Sequence, residues 1–219
     1  MIKLGLSLMR FLCVLCIVVL GPNCLLAQPY FAGQINYQNH YKSLNPKIKV
    51  SDLEKRFGQK VTTFFREGSY HEKYDSGMMS EQYYDQKENK SYYRKEHSDT
   101  LFWFHCLQPA QPYLRHTITP NKDTILGIVC DELATFYTDK TIRFYYNPDT
   151  LRINPKWYAD CTFANKNINT EHMKSLFLKY TLETANFTLS MVATRVEAKI
   201  VSDADLFYPP NSKLQEERP

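Results

Sequence analysis

The sequence predicts a mainly β protein built on one curled antiparallel sheet with one or two short helices. Three observations carry this. Apolar and polar residues alternate with period two along most of the chain beyond residue 30. The chain holds 16 Tyr and 13 Phe, and aromatic and β-branched side chains suit a pleated, half-buried surface. Turn signals recur at roughly ten-residue spacing. About ten strands joined this way make a sheet too long to stay flat, so it curls into a barrel or half-barrel.

The chain opens with a segment of another kind. Residues 1–27 read as a cleavable secretory signal. Lys3 and Arg10 supply a basic start, residues 11–20 are all apolar, Gly21 and Pro22 break the run, and Leu25-Leu26-Ala27 sets cleavage after Ala27. The apolar run falls well short of the roughly 20 residues of a spanning helix, and no later segment is apolar enough to span. Cys24 is preceded by Pro22-Asn23, a poor lipobox. Cys13 and Cys16 form a C-x-x-C inside the apolar run and read as small hydrophobes. The chain is therefore expected to be exported, to the periplasm or the outer-membrane periphery of a bacterium.

In the first strand, Phe31, Gly33, Ile35, Tyr37 and Tyr41 share one face, with a mostly polar set opposite. Ser51 and Glu54 fit a capping box, and Gly58 can end the short helix between them. Strands follow at 61–66 and 70–74 around Glu67-Gly68-Ser69, at 82–85 and 91–95 around 86–90, and at 101–106. Further strands are expected at 114–119 and 124–130 around Pro120-Asn121-Lys122-Asp123, then at 133–138 and 142–146 around Asp139-Lys140. Residues 147–169 hold Pro148, Pro155, Trp157 and Cys161 and read as a long excursion over one mouth of the sheet. Alternation returns in Leu176, Leu178, Tyr180 and Leu182, and after a turn at Ala185-Asn186 in Phe187, Leu189, Met191 and Ala193. Residues 28–210 make a single domain and residues 211–219 a polar tail expected to be disordered.

Composition excludes several classes. Net charge is +4 for the whole chain and +2 once Lys3 and Arg10 leave with the signal. With no Lys/Arg cluster, this is no footprint for nucleic acid. Glycine is scarce, and no G-x-G-x-x-G, G-x-x-x-x-G-K-[ST] or G-x-S-x-G string occurs. His40, His71, His97, His105, His116 and His172 lack the i, i+4 spacing of a helical zinc site, so no metal or cofactor is expected. No nucleophile has a base that the sequence can place beside it, so no catalytic residue is assigned and the chain is not expected to be an enzyme. Cys106, Cys130 and Cys161 follow the leader into an oxidising compartment. All three pairings stay open, as do three reduced thiols. Cys106–Cys130 closes the shortest loop and is slightly favoured, a bridge of that span contributing about 3 kcal/mol.

Three segments carry a family resemblance: Ile125-Leu126-Gly127-Ile128-Val129-Cys130 followed by Phe144-Tyr145-Tyr146; residues 176–182 with Ala193-Thr194-Arg195-Val196; and Asp205-Leu206-Phe207-Tyr208-Pro209. In this order and spacing the chain resembles the exported GLPGLI proteins of Bacteroidota and their relatives, across most of residues 31–210. The G-L-P-G-L-I string itself is absent, with residues 149–169 in its place. The resemblance implies a LolA-like half-barrel, similar to periplasmic lipoprotein carriers, whose concave apolar side suits an acyl chain.

Two functions follow as expectations. The first is binding or carrying an apolar ligand, a lipid or lipoprotein acyl chain, with Phe102, Phe104, Phe187, Leu189 and Met191 as candidate lining residues. The second is a non-catalytic structural or interaction module that contacts another envelope protein. In that case the same aromatic faces fill a closed core.

Overall fold

The computed structural model describes residues 30–109 and 111–217. The segment expected to be a secretory signal, with Cys13, Cys16 and Cys24, lies outside the described residues. The described strands are β1 (Gly33–Ser43), β2 (Lys60–Arg66), β3 (Ser69–Tyr74), β4 (Met79–Asp85), β5 (Lys90–Lys95) and β6 (Thr100–His105), then β7 (Arg115–Ile125), β8 (Ile128–Phe136), β9 (Lys140–Tyr146), β10 (Phe177–Thr184), β11 (Phe187–Ala198) and β12 (Lys213–Glu216). They form one curled, unclosed sheet in the order β12-β6-β5-β4-β3-β2-β1-β11-β10-β9-β8-β7. β1 is the seam: it pairs antiparallel with β2 on one side and with β11 on the other. Three short helices, α1 (Val50–Phe57), α2 (Lys166–Met173) and α3 (Asp203–Leu206), complete the chain together with single 3₁₀ turns at Pro155–Tyr158 and Phe163–Asn165.

Register decides what faces inward. Tyr37 stands opposite Val61 and Ala193, Ile35 opposite Thr63, and Gly33 opposite Phe65. The first strand's apolar set therefore continues across β2 and β11 on one face. Residues 147–176 lie over this face, where Leu151, Ile153, Tyr158 and Cys161 are all buried. The opposite face of β2–β6 is covered by the C-terminal segment. Val201 and Leu206 pack on Phe64, and Tyr208 packs on Tyr83 and Tyr92. Both faces of β2–β6 thus find apolar partners, which explains why these strands carry more aromatic residues than a one-sided sheet needs.

Two hairpins turn on paired positive φ angles. Glu67 (φ 50°) and Gly68 (φ 83°) join β2 to β3, and Leu126 (φ 52°) and Gly127 (φ 78°) join β7 to β8. Gly68 is required twice over: a Cβ there would also lie 2.6 Å from Cβ of Trp157 in the cover.

Several elements differ from the sequence expectation. The turn expected at residues 120–123 is a bulge inside β7, between Thr119 and Asp123. Pro120 lacks an N–H, but β7 is the edge strand and loses no ladder bond to it. The true turn is Leu126-Gly127. α1 begins two residues earlier than the expected capping box, with Lys49 rather than Ser51 as its N-cap and no side-chain cap. Gly58 ends it as expected, donating its N–H to the Glu54 carbonyl at 2.8 Å. α2 lies within and beyond the stretch read as an irregular excursion. Lys213–Glu216, in the expected tail, forms an edge strand parallel to β6. Glu217 accepts from Tyr93 and faces Lys95 Nζ at 3.7 Å, and such contacts hold a polar segment that composition alone reads as free.

Candidate functional site

Between the inward face and the 147–176 cover lies a partly enclosed cavity of about 160 Å³. Its floor is sheet: Tyr37 from β1, Phe65 from β2, Tyr70 and Glu72 from β3, and Phe144 from β9. Its roof is the cover, with Ile153, Tyr158, Met173 and Leu176, and Phe177 at the start of β10 closes one end. Ala164, exposed to solvent yet lining the space, marks the mouth. Phe177 anchors one end. Its carbonyl accepts from Tyr37 Oη at 2.9 Å, and its ring meets Tyr37, Phe144 and Tyr180 at 5.5, 5.7 and 6.0 Å.

One wall is polar. Lys166, the first residue of α2, donates from Nζ to Tyr70 Oη at 2.8 Å. The same ammonium lies 4.0 Å from the Tyr70 ring centroid and 5.0 and 5.1 Å from those of Tyr84 and Tyr158. Three electron-rich faces therefore stabilise this cation away from bulk water. Beside it, Glu72 accepts from Tyr74 Oη at 2.7 Å. Glu72 is half-buried at the cavity wall, and burial raises its carboxyl above the ordinary range against the opposing Tyr74 hydrogen bond and Lys166 charge. Burial likewise pushes the Tyr70 and Tyr74 hydroxyls well up, so both stay neutral donors. The cavity thus offers an apolar body and one wall that can hydrogen-bond a polar end.

The cover is fastened at both flanks. Tyr158 Oη donates to the Gly68 carbonyl at 2.7 Å, and Asn165 Nδ2 donates to the Gln111 carbonyl at 2.7 Å and to Tyr137 Oη at 3.0 Å. Ala164 and Asn165 take left-handed φ angles of 53° and 55°, a conformation that costs an L-residue about 1–2 kcal/mol. A second recess, a groove of about 600 Å³ past Tyr30, Arg66 and Trp157, is bordered by the charged Arg66, Glu67 and Lys199. The smaller, more apolar cavity beneath the cover is the candidate site.

None of the five lining residues expected from sequence borders this cavity, although all sit on the same face of the sheet. Phe102 stacks on Tyr93 at 5.6 Å and Phe104 meets Phe163 at 4.8 Å, near the β6 edge. Phe187 packs on Phe57 of α1 at 5.8 Å. Leu189 stands opposite Tyr41, and Met191 opposite Asn39 and Tyr180. Cys106, Cys130 and Cys161 are buried free thiols, and the slightly favoured Cys106–Cys130 pair is not brought together: Cys130 sits in the cluster around Ile35 and Cys106 in the one around Phe65. Sequence reasoning assigned none of the residues that do line it, Lys166, Met173 and Glu72 among them. Only Glu72 had a local signal, as a charged residue between Tyr70 and Tyr74 on one strand face.

No helix among the described residues is long and apolar enough to cross a membrane, and no group of three or more metal-ligating side chains occurs among them. No family model and no curated protein matches the sequence. Several solved structures are similar. One is PNGF-II, at 13% identity and TM-score 0.44, where the likeness covers 85% of this chain and 31% of that one. Another is the lipoprotein LppX of Mycobacterium tuberculosis, at 6% identity and TM-score 0.36, covering 78% of this chain and 90% of that one. The chain spans about a third of PNGF-II.

Proposed function

We propose that this protein binds a small apolar ligand, or the end of an acyl chain, beneath the 147–176 cover, and does so outside the cytoplasm without catalysing a reaction. The observation that carries the reading is the cavity: about 160 Å³, lined chiefly by apolar and aromatic groups, with one hydrogen-bonding wall. A space of about 150 Å³ with an apolar lining stays dry and takes a benzene-sized guest. Whole drug-sized ligands need roughly 300–1,000 Å³. The volume therefore fits a ring or a few methylenes rather than an entire lipid. The resemblance of the sequence to GLPGLI proteins and LolA-type carriers points towards the same ligand class.

The test is a thermal-shift series with straight-chain alcohols from butanol to decanol. Saturating ligand raises Tm by about 5 °C or more, since occupancy at 100 Kd is worth about 2.7 kcal/mol. The rise should be lost in Leu176→Trp, which fills the space. No shift across the series would refute the reading. A second reading, contact with another envelope protein, is favoured by one feature. β7 is an unpaired edge, and Leu114 and Ile118 are exposed on and beside it. It predicts that substitutions on β7, not in the cavity, abolish partner capture.

A further inference from the structure

The cover carries a feature that ligand binding does not use. Cys106, one residue beyond β6, and Cys161, between the two 3₁₀ turns, lie in one buried cluster with Phe65, Tyr84, Ile153 and Tyr158. They are 2% and 1% exposed. The backbone holds them together: Phe163 N–H donates to the Cys106 carbonyl at 3.0 Å, Cys161 N–H to the Tyr158 carbonyl at 2.9 Å, and Asn167 N–H to the Cys161 carbonyl at 2.9 Å. Phe163, two residues past Cys161, is thus bonded to Cys106 itself, and the two side chains share one cluster. Cys130 takes no part, its Sγ lying 3.4 Å from the Ile128 carbonyl.

We infer that Cys106 and Cys161 form a dithiol–disulfide site, and that oxidation clasps the 147–176 cover to the end of β6. The clasp regulates access to the cavity, a consequence that rests on the ligand-binding reading above; the bridge itself does not. Cys161 lies five residues before Lys166 and three after Tyr158, both of which line the cavity. A covalent link there fixes the roof at its mouth side.

The chemistry is thiol–disulfide exchange. Cys161 is the better thiolate: the Cys106 hydrogen bond, aided by the Lys166 charge, holds it below the usual thiol range, while Cys106 is pushed up. The Cys161 thiolate attacks one sulfur of an external small-molecule or protein disulfide and expels the other as thiolate, leaving a mixed disulfide. Cys106 gives up its proton and attacks Cys161 Sγ, expelling the second thiolate. Two S–H bonds are lost and one S–S bond forms. The two electrons reduce the external disulfide, and the two protons go to its released thiolates or to solvent. Because both sulfurs are buried, the oxidant enters during folding or when the cover opens.

The test uses the chain without its leader, refolded with glutathione disulfide, then alkylated and digested without reduction. Mass spectrometry should find the Cys106 and Cys161 peptides joined and Cys130 free. Oxidation should raise Tm by roughly 10 °C over the reduced protein and slow hydrogen exchange at the Phe163 and Asn167 amides by tenfold or more. Cys161→Ser should remove both differences and leave Cys106 open to alkylation. A cross-link to Cys130, or three alkylated thiols, would overturn the site. A Cys106–Cys161 bridge with unchanged exchange in the cover would overturn the clasp. None of these readouts needs a ligand, so failure of the alcohol series leaves them standing.

Discussion

At the residue scale, some inward side chains pack and others border space. Leu178 is fully buried in the cluster around Ile35 and Tyr37. Leu178→Ala should therefore cost about 2–5 kcal/mol, measured by denaturant unfolding. Glu72 behaves differently. Its carboxyl is raised by burial, so the folded state disfavours the ionised form. Below the unfolded pKa both states are neutral and nothing is lost. As pH rises from there to the folded value, the unfolded chain ionises first and stability falls. Glu72→Gln should leave Tm unchanged near pH 4 and raise it near pH 8; equal shifts at both pH values would contradict the assignment. Part of this was legible in the sequence. Ile35 and Tyr37 follow from simple alternation. Lys166 and Met173 do not, because irregular chain has no period that assigns a residue to a face. The long-range pairing that brings Lys166 to Tyr70, 96 positions apart, leaves no local trace.

At the element scale, strands were easier to read than the cover. Nearly every hairpin was visible because its turn residues interrupt an alternating pattern. The exception, β7–β8, misled because Pro120 marks a turn anywhere but on an edge strand. Gly127 has open space around it, so Gly127→Val should cost only the backbone term, about 1–2 kcal/mol. In the cover, Ala164 holds a left-handed φ, and Ala164→Gly should raise stability by up to about 1 kcal/mol, the relief of strain less the added chain entropy. On the other side, α3 is tied to the sheet by His71, whose Nδ1–H donates to the Asp205 carbonyl at 2.7 Å while its ring stacks on Tyr83 at 4.0 Å. Burial lowers this imidazole, outweighing the raising effects of that bond and of Glu81, while Lys73 lowers it further. The neutral form is thus the folded one. Stability is fully present above the ordinary histidine value near 6.5 and is lost as pH falls below it. Protection factors at the Leu206 and Phe207 amides, taken relative to the intrinsic rate at each pH, should fall between pH 7 and 5, and His71→Gln should flatten that dependence.

At the scale of the whole molecule, one sheet is sandwiched by two segments that come after most of its strands, and a cavity remains where the first of them fails to fill the concavity. The curled sheet follows from strand number, since a sheet this long twists as it grows. The cavity does not follow from composition. Aromatic residues sufficient to fill a core and those sufficient to frame a void look the same until register places them, which is why Phe102 and Phe187 stood out in the sequence and Phe144 and Phe177 frame the space. The central claim is that this space holds an apolar guest. The direct measurement is mass spectrometry of an organic extract of the protein, isolated from its native source without detergent and compared with Leu176→Trp prepared alike. An apolar or acyl species near one per protein, absent from the variant, is the predicted result; extracts from the two proteins that are equally empty, or equally loaded, would contradict it.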